Sequence, residues 1–321
     1  MDKVSIIIPV YKAETTIERC VASLCKGTYS NIEILLIDDN SPDNSLAVCL
    51  SLQEKYPQVK VLHNSKNEGV SQARNLGLAE MSGQYLMFVD SDDWVEPDYV
   101  ESFVTAYQQF GADMTICGYI NHDEVQNYST DYFGWNDFKD VSSRELRASL
   151  LELLKNRLLQ QIWNKFFLVS VVKDNALAFD PSIKMGEDFR FLLTYLSCVK
   201  GDKLLLINKP LYHYIRCSGT SAMSNFGTEK IDEALKNYEC MYRLMGMSES
   251  EIQVKLEQDK ESLIQSYAYL IMHNIGMRGN KKKQLIYALS DKEGKQLYRK
   301  NKRIYQKERI IIWLKKLGIK R

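Results

Sequence analysis

Polar residues that can bind metals and phosphates recur directly after short apolar runs of the sequence. Three such stretches are 38–41 (DDNS), 64–67 (NSKN) and 90–93 (DSDD). Carboxylate oxygens are the ligands that hard divalent cations prefer, and such a cation can bridge to a diphosphate. If one edge of the fold brings these stretches together, their residue types predict a site for a phosphate-bearing ligand and a divalent cation.

The elements that must position these residues alternate between strand and helix, which predicts an α/β fold. Apolar runs predict strands at Val4–Val10, Ile32–Ile37, Val59–Leu62, Tyr85–Val89 and Met114–Tyr119. Helical periodicity predicts helices at Glu14–Lys26, Ser45–Tyr56, Ser71–Met81 and Pro97–Phe110. Such alternation is typical of βαβ units in a mostly parallel sheet. Ligands bind at the carboxyl ends of parallel strands, where the three polar stretches fall. Each stretch alone could consist of turn and N-cap residues, but their convergence favours a site.

Several classes of protein are disfavoured by the sequence. The first strand-to-helix turn has neither G-x-G-x-x-G nor G-x-x-x-x-G-K-[ST], so a dinucleotide-binding domain and a P-loop NTPase are disfavoured. Seven cysteines without a C-x-x-C pair favour a reducing compartment. The sequence has no secretory signal and no apolar run near the roughly 18 residues of a membrane span. We therefore expect a cytoplasmic protein.

The C-terminal third differs in composition. Periodicity predicts helices at Ile231–Met245, Glu251–Met277 and Lys282–Leu289. Residues 292–321 carry twelve Lys and Arg but two Glu, a net charge of +10, which leaves −9 for residues 1–291. Basic residues mixed with the run IIIWL at 310–314 are typical of an amphipathic helix on an anionic membrane. Packing on the same domain or on a second subunit is the alternative. Nucleic acid is disfavoured, because the acidic remainder would repel it.

Six segments, in their order and spacing, resemble the family 2 glycosyltransferases with a GT-A fold. They are VSIIIPVY (4–11), IEILLIDDNSPDNS (32–45), NEGVSQARNLGL (67–78), GQYLMFVDSDDW (83–94), WNKFF (163–167) and GEDFRF (186–191). The resemblance implies a GT-A catalytic domain over residues 1–225, with a mostly parallel central sheet. Residues 226–321 then form a helical region that ends in the basic amphipathic helix.

The resemblance also implies how a nucleotide is held. The residues of the uracil pocket would be Pro9, Tyr11 and Asp39. The residues that contact the rest of the nucleotide would be Asn67, Arg74, Asp90 and Ser91. Asp92 completes the family's D-x-D motif, and it would bind Mn²⁺ or Mg²⁺ on the diphosphate.

The remaining implied roles concern the reaction. Asp188 matches the catalytic base of the family. The residues expected on the acceptor side are Glu187, Trp163 and Lys165. The residues expected to close over the diphosphate are His213 and Arg216, together with Ser218 or Ser221.

Other interpretations of these residues remain open at this point. Asp188 could instead cap a helix over Phe189–Tyr195, and Arg74 could pair with Asp39 in the absence of a ligand. Trp163 could be a core residue, and His213 a surface residue. Two positions depart from the family pattern: Asn40 replaces a common Gly, and Lys12 replaces a common Asn. Asn tolerates the left-handed conformation, so we expect the turn at Asn40 to survive.

The implied activity is an inverting, metal-dependent transfer of a hexosyl or N-acetylhexosaminyl group from a UDP-sugar. The acceptor would be a glycan or a lipid-linked glycan of a bacterial surface polysaccharide, such as capsule or exopolysaccharide. A peripheral position on the inner face of the plasma membrane would suit that acceptor. The alternatives are a non-catalytic nucleotide-binding partner of another transferase and, less favoured, a sugar nucleotidyltransferase. The donor sugar, the linkage and homo-oligomerisation are left open by the sequence.

Overall fold

A computed structural model of the chain describes residues 2–123, 128–132, 140–183, 185–216, 229–273, 278–289 and 294–316. The chain divides into two compact units, Met1–Gly219 and Thr220–Arg321. The predicted boundary between residues 225 and 226 lies in 217–228, outside the described residues, and stays a prediction.

The described part of the N-terminal unit contains ten strands and seven helices. The strands are β1 (Val4–Val10), β2 (Ile32–Asp38), β3 (Val59–His63), β4 (Tyr85–Phe88), β5 (Trp94–Val95), β6 (Met114–Asp123), β7 (Tyr128–Tyr132), β8 (Val141–Glu145), β9 (Lys165–Leu168) and β10 (Lys203–Arg216). The helices are α1 (Ile17–Cys25), α2 (Ser45–Lys55), α3 (Val70–Glu80), α4 (Tyr99–Phe110), α5 (Leu146–Lys155), α6 (Val169–Asp174) and α7 (Glu187–Cys198).

All ten strands belong to one sheet, whose main path has the order β3-β2-β1-β4-β9-β6-β10-β5. The β3-β2-β1-β4 half is parallel, as the alternation of strands and helices predicts. In the other half β6 and β10 are parallel, and the antiparallel β9 lies between β4 and β6. The α/β class and every predicted strand and helix of the first 120 residues are confirmed. Two helices begin later than expected, at Ile17 and at Tyr99, after the turns that precede them.

The inner strands of the parallel half, β2, β1 and β4, are buried on both faces. The apolar residues of β1 and β2 are almost completely shielded from solvent, which explains their continuous apolar runs. Helix α3 packs on β1 at Gly77, where an added Cβ would lie 2.6 Å from the Ile7 side chain. This close approach fixes the depth at which α3 carries Arg74, one turn earlier.

The C-terminal unit is helical, as predicted. Its described helices are α8 (Glu229–Leu244), α9 (Glu249–His273), α10 (Gly279–Leu289) and α11 (Gly294–Lys316). Helices α9, α10 and α11 pack on one another, and Ile271, Ile286 and Leu297 lie in the interior of the unit. None of the helices in the described ranges is both long enough and apolar enough to cross a membrane.

Candidate active site

The carboxylate of Asp39 lies in a pocket of neutral donors where the carboxyl ends of β2 and β3 meet. Its Oδ1 accepts hydrogen bonds from Asn64 Nδ2 at 2.8 Å and from the Glu68 backbone N–H at 2.9 Å. Its Oδ2 accepts one from the Gly69 backbone N–H at 2.8 Å. These bonds hold the loop after β3 against the end of β2. Asp39 therefore organises the edge at which the sequence predicts a nucleotide.

Two neighbouring residues adopt the left-handed conformation. Asn40 has φ +55°, so the expected turn at this position is confirmed. Lys12 also has φ +55°, a conformation that Asn adopts more readily than most other residues. The Lys12 backbone N–H donates to Ser41 Oγ at 3.3 Å, which joins the turns that follow β1 and β2.

Arg74 is buried and forms ion pairs with three carboxylates. Nη1 contacts Asp188 Oδ1 at 2.5 Å and Glu187 Oε1 at 3.3 Å, and Nη2 contacts Asp90 Oδ1 at 3.3 Å. Burial alone would lower the pKa of Arg74, but the three carboxylates raise it. The alternative pairing with Asp39 is wrong. Arg74 instead joins the loop after β4 to the first turn of α7.

The Asp90–Asp93 stretch forms a turn at the end of β4, closed by a 3.1 Å bond from the Asp93 N–H to the Asp90 carbonyl. Burial raises the pKa of Asp90, although Arg74 opposes this effect. Partial desolvation of its carboxylate by the surrounding protein, together with the charge of Asp90, raises the pKa of Asp92 to about 6. Asp92 nevertheless reaches solvent. The turn therefore concentrates negative charge at an accessible position.

Asp188 is the second residue of α7, which begins at Glu187 after a left-handed Gly186 at the N-cap. It is not the helix cap, so that alternative is wrong. Its side chain accepts the bond from Arg74 and is 21% exposed. Burial, reinforced by Glu187 and Asp90, raises the pKa of Asp188 to about 7, while Arg74 opposes the increase. This is a suitable pKa for a general base near neutral pH.

The other residues predicted to bind the nucleotide lie at the same edge but differ in exposure. Pro9 and Ser91 are half-buried, Asn67 is exposed, and the Tyr11 ring is 45% exposed. The exposed aromatic side chain of Tyr11, directly after the end of β1, is a suitable surface for a flat heterocycle. Their roles in binding stay predictions.

The predicted acceptor residues Trp163 and Lys165 are buried in the protein. Trp163 stacks on Tyr212, with ring centroids 4.2 Å apart, which agrees with its alternative interpretation as a core residue. Lys165 Nζ donates to the carbonyl oxygens of Leu158 and Gln161 and to Asn164 Oδ1. Burial lowers the pKa of Lys165 well below its usual range. Of the three residues predicted on the acceptor side, only Glu187 joins the carboxylate cluster, and the roles of all three stay predictions.

The predicted diphosphate residues lie on β10. His213 is buried, and its Nε2 and Nδ1 lie 2.7 Å from Glu96 Oε1 and 2.8 Å from His122 Nε2. His213 is therefore not a surface residue. Arg216, the last residue of β10, is exposed. Ser218 and Ser221 lie outside the described residues. The diphosphate roles stay predictions.

The residues after β4 fit a divalent cation whose coordination is completed by a bound ligand. Within the described ranges, no group of three or more His, Cys, Asp or Glu side chains could hold a metal ion. Asp92 offers accessible carboxylate oxygens. Burial and the charge of Asp90 raise the pKa of Asp92, and a bound cation would neutralise the charge of these two carboxylates. Oxygen donors suit Mn²⁺ or Mg²⁺, and Mg²⁺ commonly takes its remaining ligands from phosphates and water.

Two residues at this site were assigned no role from the sequence. Asp93 is fully buried, and its Oδ2 accepts a 2.6 Å bond from the hydroxyl of Tyr212 on β10. Burial raises the pKa of Asp93 well above its usual range, and Asp90 adds to this effect. The one available signal was the third Asp in DSDD, but its partner lies 119 residues away.

Comparison with known proteins shows the family to which the chain belongs. A sequence model described as "Glycosyl transferase family 2" matches residues 5–164. Glycosyltransferase GlyG of Streptococcus pneumoniae is 30% identical over 225 residues, which cover 70% of this chain and 74% of GlyG. Glycosyltransferase GlyA of the same organism is 33% identical over 73% of this chain, but the match spans only 33% of GlyA.

A solved structure shows the same fold. The crystal structure of S. aureus TarS in complex with UDP-GlcNAc aligns with a TM-score of 0.65, covering 96% of this chain and 91% of that chain at 17% identity. The mostly parallel sheet and the likeness to TarS show the predicted GT-A fold. The chain belongs to glycosyl transferase family 2, and it is a glycosyltransferase.

Proposed function

We propose that the protein transfers a sugar from a UDP-sugar to a hydroxyl group of a glycan or lipid-linked acceptor, with inversion at the anomeric carbon. The observation that carries this proposal is the burial of Arg74 between Asp90 and Asp188. This ion cluster brings the candidate base next to the loop assigned to the donor. A transferase needs both groups at one sugar carbon.

The donor end is proposed to bind uridine diphosphate. Tyr11 follows Val10, whose carbonyl accepts the Asp39 backbone N–H at 2.9 Å. Its exposed side chain would pack on the base. A carboxylate has about four acceptor positions, and Asp39 uses three of them, which leaves one for a base N–H. The shared fold with TarS, which was crystallised with UDP-GlcNAc, supports a uridine nucleotide.

The proposed reaction is a single displacement. The acceptor oxygen forms a bond to the anomeric carbon, and the bond from that carbon to the diphosphate oxygen breaks. UDP leaves with the electron pair, and the acceptor proton passes to Asp188. A pKa of about 7 keeps a large fraction of Asp188 deprotonated at neutral pH. One displacement with one base inverts the anomeric centre.

Charge on the leaving diphosphate is proposed to be neutralised by Asp92-bound metal and by Arg216. Asp92 would hold Mn²⁺ or Mg²⁺, with Asp90 beside it. A bound cation would supply electrostatic stabilisation of the diphosphate. Arg216 is exposed at the end of β10, and it would contribute a fixed positive charge.

The proposal is tested by UDP release from a panel of UDP-sugars, with Mn²⁺ and then with a chelator. We expect slow hydrolysis of one donor, abolished by the chelator and reduced at least about 100-fold in Asp92→Ala. The exposed Asp174→Asn serves as the control and should retain wild-type turnover. No turnover with any donor, together with no UDP binding by calorimetry, would reject the UDP assignment.

We further propose that the C-terminal unit binds the anionic inner face of the plasma membrane, where a lipid-linked acceptor resides. The side chains described over 278–289 and 294–307 include no Asp or Glu. The exposed Lys and Arg of these stretches are Arg278, Lys281, Lys283, Lys295, Arg299, Lys300, Lys302, Arg303 and Lys307. Each basic residue near such a surface contributes about 1 kcal/mol of attraction.

Flotation with vesicles tests this second proposal. The full chain should float with vesicles that contain phosphatidylglycerol and remain behind with pure phosphatidylcholine. The combined variant Lys295→Gln, Arg299→Gln, Lys302→Gln should lose most of the binding. Because these side chains are exposed, the variant should fold normally. Equal flotation of the wild type with both kinds of vesicle would contradict an electrostatic attachment.

A further inference from the structure

Strand β10 is attached to the Asp90–Asp93 turn through a buried carboxylate. Both oxygens of Asp93 accept bonds from β10: Oδ2 from the Tyr212 hydroxyl at 2.6 Å, and Oδ1 from the Ile215 backbone N–H at 2.7 Å. β5 pairs with β10 only at Tyr212 and His213. Beyond this pair β10 stays paired with β6, and the Asp93 side chain accepts the Ile215 N–H where β5 no longer pairs.

The hydroxyl of Tyr212 connects the turn to β10 a second time. It donates to Asp93 and accepts a 3.1 Å bond from the Asp90 backbone N–H. The ring of Tyr212 is fixed by its stack on Trp163. The backbone at the first residue of the turn is therefore held by a phenol that cannot move without disturbing the core.

A third attachment lies on the other side of β10. The His213 ring stacks on Trp94, with centroids 3.4 Å apart, and its Nε2 lies 2.7 Å from Glu96 Oε1. The Glu96 backbone N–H donates to the Leu211 carbonyl at 2.9 Å. Asp93, Glu96, Tyr212 and His213 are named the clasp below.

The consequence of the clasp concerns two charges that lie on separate segments. Asp92 lies within the turn that the clasp holds, and Arg216 follows directly after the last residue of β10 that the clasp binds, Ile215. Among the described residues, β5 pairs with β10 at Tyr212 and His213, and the clasp adds the bonds of Asp93 to Tyr212 and Ile215 and of His213 to Glu96. The clasp therefore ties the turn to the end of β10 at several points.

We propose that the clasp is a positioning device, and that Asp93, Tyr212 and His213 are positioning residues that hold Asp92 and Arg216 at a fixed separation for the diphosphate. This inference rests on the proposed function. It assigns His213 to the support of the site and leaves diphosphate contact to Arg216. Residues that hold a metal ligand in place through hydrogen bonds affect metal affinity without contacting the metal.

The test uses Tyr212→Phe, which removes one hydroxyl and keeps the ring stacked on Trp163. In the metal-free protein, the Asp90 amide should exchange hydrogen at least about tenfold faster than in the wild type, because its acceptor is gone. In calorimetric titrations of UDP, the Mn²⁺ concentration needed for half-maximal binding should rise about tenfold.

The matched control is Tyr195→Phe. Tyr195 is also buried, and its hydroxyl also accepts a backbone N–H, from Leu168 at 3.1 Å. This variant should keep the wild-type Mn²⁺ requirement. A Tyr212→Phe protein that loses thermal stability but keeps the wild-type Mn²⁺ requirement would overturn the proposal, as would unchanged exchange at Asp90. If the wild type binds no UDP with Mn²⁺, the proposed function fails, and exchange at Asp90 alone then decides whether the clasp holds the turn.

Discussion

Two carboxylate regions at the same edge of the sheet are built in opposite ways. Asp39 accepts bonds from three neutral donors, two of them backbone N–H groups. Asp90, Glu187 and Asp188 instead share the single guanidinium of Arg74. The Nε of Arg74 is buried and has no partner among the described residues.

The difference indicates how each region responds to charge. At Asp39 the charge is spread over fixed dipoles, which suits a ligand held in the same way throughout a reaction. In the Arg74 cluster three carboxylates exceed one cation, and burial, together with the charges of Glu187 and Asp90, raises the pKa of Asp188 to about 7. Such a cluster gains or loses a proton readily near neutral pH, which suits a step in which a proton moves.

The largest expected effect separates the two regions by function. Asp188→Asn should lower transfer by about 10²–10⁴-fold, because the amide cannot take the acceptor proton. UDP binding, which depends on the Asp39 end, should stay within about twofold of wild type. Steady-state transfer and calorimetry measure the two quantities. Loss of UDP binding in this variant, or transfer at the wild-type rate, would remove Asp188 from the proposed role.

The next effect concerns stability. Arg74→Gln should lower the free energy of unfolding by about 3–5 kcal/mol at pH 8, because three half-buried carboxylates lose the buried cation that they share. The loss should shrink near pH 5.5, since Asp188, whose folded-state pKa is about 7, is then protonated and needs no cation. Urea denaturation at both pH values measures this.

The matched variant in the other region is Asp39→Asn. It should cost about 1–3 kcal/mol, because the new amide would direct a donor at one of the N–H groups that Asp39 now accepts. Equal losses for Arg74→Gln at both pH values would show that the Arg74 cluster is not under electrostatic strain.

The smallest effect sharpens the assignment of the base. In the wild type, kcat/KM should fall about tenfold for each pH unit below the pKa of Asp188, about 7. Glu187→Gln removes a carboxylate that raises this pKa, so the fall should begin at a lower pH. The exposed Glu54→Gln should leave the profile unchanged. An unmoved profile in Glu187→Gln would mean that another group controls the acid limb.

The parallel half of the sheet could be predicted because its information is local. The predicted bounds of β1 match the structure, since an uninterrupted apolar run specifies a strand buried on both faces. The antiparallel β9 could not be placed in the same way. It is four residues long, and its position between β4 and β6 depends on pairing with strands distant in sequence.

The sequence predicted which residues belong to the candidate site, but not which of them form hydrogen bonds and ion pairs with one another. Family resemblance selected Arg74, Asp90 and Asp188, yet the partners of Arg74 lie 16, 113 and 114 residues away. For Lys165 the sequence motif predicted a place on the acceptor side, but its ammonium group donates to two carbonyls of the loop that precedes it. A sequence motif cannot reveal such a contact. Residue types predict which chemical groups are present, and packing between distant segments decides which of these groups contact each other.

The Asp93 carboxylate has a further consequence for behaviour in concentrated solution. β5 pairs with β10 over only two residues, and beyond them the backbone N–H of Ile215 donates to Asp93. Exposed strand edges of this kind seed aggregation. By occupying that N–H, Asp93 blunts the edge of the sheet. The same side chain that is proposed to support the site thus leaves this backbone N–H no bond to offer to a strand of another molecule.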